Sequence, residues 1–100
     1  MIINISALHQ QNSTKIKLYA KKKVEKLAKY HNQIQKIKAR LISQKSHRGQ
    51  DQDCTCELTI HIPRQILEIV DSERDFYKAV DSAINRAKRT LIKSKEKQIS

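Results

Sequence analysis

Cys54, Cys56, His47 and His61 invite a zinc reading. A structural zinc needs four such ligands converging in a tetrahedron. Cys54, Cys56 and His61 fall in a run of alternating apolar and polar residues. As a strand, that run sends both thiols to one face and the imidazole to the other, while His47 sits in a polar loop. Small core side chains are the better account of the cysteines, so no metal and no cofactor is expected. Two thiols side by side on one face also make a poor disulfide, which suits a reducing cytoplasm. The acids Glu68, Asp71, Glu73, Asp75 and Asp81 bunch together in sequence, but a helix start explains most of them, since carboxylates favour the positive end of its dipole. No serine or cysteine has a histidine partner in a recognisable nucleophile motif. The reading is therefore not an enzyme, and no small-molecule substrate is expected.

The chemistry that stands out is cationic. Lys and Arg number 21 against 10 Asp and Glu, a net charge of +11. Such a charge repels itself and points to a polyanionic partner. It is also segregated. Residues 1–50 carry 12 basic residues and one acid, residues 51–81 carry 3 basic and 8 acidic, and residues 82–100 carry 6 basic and one acid. No apolar run approaches a membrane span, and Met1-Ile2-Ile3-Asn4 does not begin a secretory signal, so no membrane partner is expected and the expected location is cytoplasmic. One glycine excludes glycine-rich phosphate loops. A chain of 100 residues builds one core, so residues 1–100 are expected to form a single domain.

The elements that position these charges follow from periodicity. Ile3, Ile5 and Ala7 alternate with Asn4 and Ser6, predicting a short strand. Leu8 to Asn12 is a connection, and Ser13 is a candidate N-cap. A helix is predicted from about Thr14 to His31, with Ile16, Tyr19, Ala20, Val24, Leu27 and Ala28 on one face. Lys15, Lys22, Lys26 and Lys29 stripe the opposite face, flanked by Lys23. Ile37 to Ser43 alternates as a second strand, Gln44 to Asp53 is a loop holding Gly49, and Cys54 to Ile62 alternates as a third strand. Pro63-Arg64-Gln65 is a turn, because proline cannot donate to a ladder. Ile66 to Val70 is a fourth strand; Leu67/Ile69 and Ile66/Val70 serve equally well as its inward pair. A final helix is predicted from about Arg74 to Lys97. Phe76, Ala79, Val80, Ala83, Ile84, Ala87 and Leu91 face inward, and Lys78, Arg86, Arg89, Lys93 and Lys97 fall mainly on the far side.

The order βαβββα predicts an α+β fold: a four-stranded mixed sheet with two helices on one face, like that of double-stranded RNA-binding domains. Strands one and two are parallel through a right-handed crossover, and the rest follow as antiparallel hairpins. The helices' cationic stripes would then form one basic ridge suited to RNA phosphates. Of the four aromatics, Tyr19 and Phe76 read as core, while Tyr30 and Tyr77 could equally stack on bases.

Asp75-Phe76-Tyr77-Lys78-Ala79-Val80-Asp81 resembles the D-(M/F)-Y-x-A-(I/V)-D signature of the ribosome hibernation-promoting factor and ribosome-associated inhibitor A family. Arg89-Thr90-Leu91-Ile92-Lys93-Ser94-Lys95-Glu96-Lys97 resembles the R-Q-L-x-K-x-K-x-K run that follows it. Lys23, Lys26, Leu27 and Tyr30 match that family's K-x-x-K-L-x-x-Y pattern, and Asn4-Ile5 falls on its first strand. Thr90 in place of Gln, Glu73 in place of a common Gly, and Pro63-Arg64-Gln65 without Asn or Gly are departures. The resemblance implies a monomeric hibernation factor that binds the small ribosomal subunit at the decoding region. There it would block messenger RNA and A- and P-site transfer RNA and inhibit translation. Ending just past the last helix, the chain resembles the short form, which is expected to promote ribosome dimers in stationary phase. The expected RNA-binding residues are Lys22, Lys23, Lys26, Lys29, Lys78, Arg86, Arg89, Lys93, Lys95 and Lys97. The competing expectation is a stand-alone module for double-stranded RNA, recognised by shape.

Overall fold

The computed structural model describes residues 1–8, 14–45 and 52–99; for 8, 44–45, 52–53 and 96–99 it describes the backbone alone. The elements are β1 (Ile2–Leu8), α1 (Thr14–Glu25) with a 3-10 turn (Lys26–Lys29), β2 (Lys36–Lys45), β3 (Gln52–Ile62), β4 (Gln65–Glu73) and α2 (Phe76–Ile99). The sheet order is β1-β2-β3-β4. β1 pairs parallel with β2, and the remaining pairs are antiparallel.

Alternation gives the sheet an apolar inner face, broken only where Ile42 is buried next to Leu41 among the described residues. Ile37, Ala39 and Leu41 of β2 and Cys54, Cys56, Leu58, Ile60 and Ile62 of β3 are buried. The β4 register settles the inward pair: Ile69 lies opposite Leu58 and Leu67 opposite Ile60. Ile66 and Val70 therefore take the outer face, where they stay exposed. Both helices cover the inner face. α1 contributes Ile16, Ala20 and Val24, with Leu27 from the following turn, and α2 contributes Phe76, Ala79, Val80, Ala83, Ala87 and Leu91, all in one cluster with the sheet residues. Alanines at 79, 83 and 87 recur once per turn and let α2 sit close to the strands.

Several boundaries differ from the periodicity. β1 takes in Leu8, and β2 and β3 run on through Gln44–Lys45 and Gln52–Asp53, the two ends of the expected loop, because ladder pairing carries polar residues as readily as apolar ones. The first helix does not continue as α-helix to His31. It tightens after Glu25 into a 3-10 turn, whose three-residue repeat keeps Leu27 inside but turns Ala28 out to solvent. β4 runs through Asp71, Ser72 and Glu73, so these acids are strand residues and not a helix start. The helix begins at Phe76, where Asp75 caps it by accepting the Tyr77 N–H at 3.1 Å. The β3–β4 connection is the expected turn, Pro63-Arg64. Arg64 takes φ 67°, the left-handed region that glycine or asparagine more often fills. Ser13, His47 and the side chain of Lys97 lie outside the described residues. Among the described residues no helix is long and apolar enough to cross a membrane.

Candidate nucleic-acid interface

The helices run side by side in the same direction. Tyr19 of α1 donates to the Asp81 carboxylate of α2 at 2.6 Å. Its ring meets Tyr77 edge-to-face, with centroids 4.8 Å apart. Lys23 lies 3.9 Å from the same Asp81, and further along, Lys88 Nζ sits 4.9 Å above the Tyr30 ring. Each step forward on α1 meets a step forward on α2, so the two helices form a continuous layer with a shallow seam between them.

The expected cations divide into three groups on this layer. Lys22, Lys26 and Lys29 are exposed on α1 and its 3-10 turn; in that turn residues three apart eclipse, which aligns Lys26 with Lys29. Lys78 and Arg89 are exposed on α2. Eleven residues separate them, about three turns, so both ride the crest opposite the buried Ala83 and Ala87. Lys95 is exposed near His31, just past the 3-10 turn, close enough to act on its protonation. Lys23, by contrast, is half-buried in the seam beside Asp81.

Arg86 and Lys93 do not join the crest. The Arg86 guanidinium reaches back to β4, pairing with Asp71 at 2.9 Å and donating to the Val70 carbonyl at 3.3 Å. Lys93 lines a shallow cleft with Gln65, Leu67, Thr90 and Ser94. The cations of α2 thus spread over two flanks, which the far-side stripe had merged. Lys88 lies outside the expected set; it faces Tyr30, just past the 3-10 turn, and extends the cationic lining along α2.

Electrostatics within the seam fix its protonation. The Asp81 hydrogen bond, aided by burial, pushes the Tyr19 hydroxyl up to about 12, so it stays a donor. His31 is buried and takes the Gln33 N–H on Nδ1 at 3.1 Å, which leaves the proton of the neutral ring on Nε2; that nitrogen has no partner among the described residues. Burial and the nearby Lys95 charge hold His31 below the ordinary imidazole range. The neutral ring adds no charge to the surface. Its unfolded form binds a proton first, so its contribution to stability is complete above about pH 6.5 and is lost as pH falls through the lower folded value. An NMR titration is expected to show the His31 ring titrating below pH 6.5, with thermal stability declining over the same range; titration at or above 6.5 contradicts this.

Chemistry other than binding finds little footing. Cys54 and Cys56 are buried on the inner face, whereas His61 lies on the outer face of the same strand, paired across to Ile66. Burial, with Asp71 and Glu57 nearby, pushes the Cys56 thiol up to about 12, far from a reactive thiolate.

A family model described as Sigma 54 modulation protein / S30EA ribosomal protein matches residues 3–99. Two solved structures share the fold. One, a ribosomal subunit interface protein from Coxiella burnetii, superposes with a TM-score of 0.81 at 18% identity, over 96% of this chain and 99% of that one. The other, the Thermus thermophilus Protein Y N-terminal domain, gives 0.71 at 18% identity, over 93% and 98%. No curated protein sequence is similar enough to be matched.

Proposed function

We propose that this chain, which belongs to the Sigma 54 modulation protein / S30EA ribosomal protein family, docks on the ribosome and inhibits translation by occupancy, without a chemical step. The observation that carries this reading is the run of exposed cations shared by two neighbouring helices: Lys22, Lys26 and Lys29 beside Lys78 and Arg89. Cations held at fixed spacing on one layer displace the counterions of an RNA backbone, and the fold supplies that spacing. The Coxiella protein of the same fold is a ribosomal subunit interface protein, which supports the ribosome as partner.

In the finer form of the proposal, the helical layer faces the RNA of the small subunit at the decoding region. The body of the domain then fills the path of messenger RNA and of A- and P-site transfer RNA. Co-sedimentation with purified small subunits tests this. The protein is expected to travel with the subunits at physiological salt and to be displaced by bound messenger and transfer RNA. Recovery only at the top of the gradient contradicts the docking, and competition by a plain RNA duplex at equal affinity favours a general duplex-binding module instead. With whole ribosomes, the same gradient reads the further expectation that occupied ribosomes pair into dimers.

A further inference from the structure

One aromatic of the seam is left open to solvent. Tyr77 is 42% exposed, although its neighbour Tyr19 is tied down by the 2.6 Å bond to Asp81. Tyr19 also carries the Lys23 ammonium over its ring, 5.4 Å from the centroid. The Tyr19–Tyr77 contact is edge-to-face, with 71° between planes. In that arrangement one ring presents only its edge, so at least one face of Tyr77 is not covered by Tyr19. The Tyr77 backbone is anchored by the Asp75 cap, which holds the residue in the first turn of α2. Lys78 follows it in the chain, exposed, and Lys23 stands on the facing helix.

We infer that Tyr77 is a stacking platform for an unpaired RNA base, held in place by the Asp81–Tyr19 bond, with the Asp75 and Asp81 carboxylates beneath it engaged in the cap and the seam and the exposed Lys78 charge next to it. This rests on the RNA-docking reading above and adds to it the kind of RNA element recognised. Bases inside a duplex are stacked on both faces and cannot use such a ring, whereas a bulged or single-stranded base can. Stacking on an aromatic tolerates any base and adds affinity without releasing counterions. Its signature is therefore a loss of affinity at constant salt dependence, the opposite of a lysine contact.

The experiment measures binding to purified small subunits across a salt series, for the wild type, Tyr77→Phe, Tyr77→Leu, and a variant with Lys22, Lys26 and Lys29 replaced by alanine. Circular dichroism confirms each is folded. Tyr77→Phe keeps the ring and is expected to bind within about threefold of wild type. Tyr77→Leu is expected to lose roughly five- to hundredfold with an unchanged salt slope, while the lysine variant loses slope. Ultraviolet cross-linking of the wild-type complex is expected to leave a nucleotide on the tryptic peptide Asp75–Lys78. If Tyr77→Leu binds like wild type while the lysine variant weakens, the platform is overturned and the docking reading stands; if neither weakens, the docking reading falls too. A loss in Tyr77→Phe equal to that in Tyr77→Leu, or a loss without a nucleotide adduct, assigns Tyr77 another contact and overturns the inference.

Discussion

Replacing Lys22, Lys26 and Lys29 together with alanine is expected to weaken binding to small ribosomal subunits by on the order of a hundredfold at moderate salt, and to flatten the log–log salt dependence by about two to three units. Each lysine is exposed, so none is needed to hold the core. Alanine is the best helix former, so the helix and its 3-10 turn are expected to survive. Circular dichroism and a thermal melt would then match wild type, while the binding isotherm moves. A loss of affinity with an unchanged slope would mean that these lysines do not meet phosphates.

Arg86→Ala is expected to do the reverse, lowering stability while sparing the salt slope. The Asp71 side chain is only 14% exposed, and Arg86 is its partner at 2.9 Å. Its second oxygen, Oδ2, is buried without a partner among the described residues. Removing the guanidinium leaves a largely buried carboxylate unpaired, at a cost of about 1–3 kcal/mol. Arg86 is itself 56% exposed, and solvent screening favours the lower half of that range. For a domain of this size, the melting temperature is expected to fall by about 5–12 °C. Exchanging both partners for apolar residues, Arg86→Met with Asp71→Val, is expected to recover much of the loss, because no charge is then stranded. The lost Val70 contact adds a second consequence. β4 is an edge strand and the guanidinium occupies one of its carbonyls, so the single variant should self-associate more readily on heating.

These two results would separate the cations that bind from the cations that fold, a division the amino-acid sequence does not make. The sheet itself is legible from alternation: Ile37 to Leu41 and Cys54 to Ile62 each put every second residue in the core. The register of β4 is not, because Ile66/Val70 and Leu67/Ile69 are equally apolar. Only the ladder with β3, which sets Leu58 against Ile69, breaks the tie. The acids at 71 and 73 suit a helix start as well as a strand end, so polarity alone puts them in the wrong element. With Asp71 misplaced, its pairing with Arg86 is invisible and Arg86 reads as one more free cation. Lys88 is missed for a related reason. It lies on the flank of α2, and whether a flank meets solvent or another helix depends on where α1 lies. The 3-10 turn escapes because three- and four-residue repeats cannot be told apart over a single turn.

The most direct measurement of which face meets the ribosome is a lysine acetylation footprint of the protein, free and bound to small subunits, read by mass spectrometry. It needs no substitution, and the chain carries its own control. Lys38 is exposed on the outer face of the sheet, whereas Lys22, Lys26, Lys29 and Lys78 are exposed on the helical layer. Docking through the helices predicts that these four become protected while Lys38 keeps its reactivity. Protection of Lys38 with the helical lysines still reactive would place the ribosome on the opposite face and contradict the account.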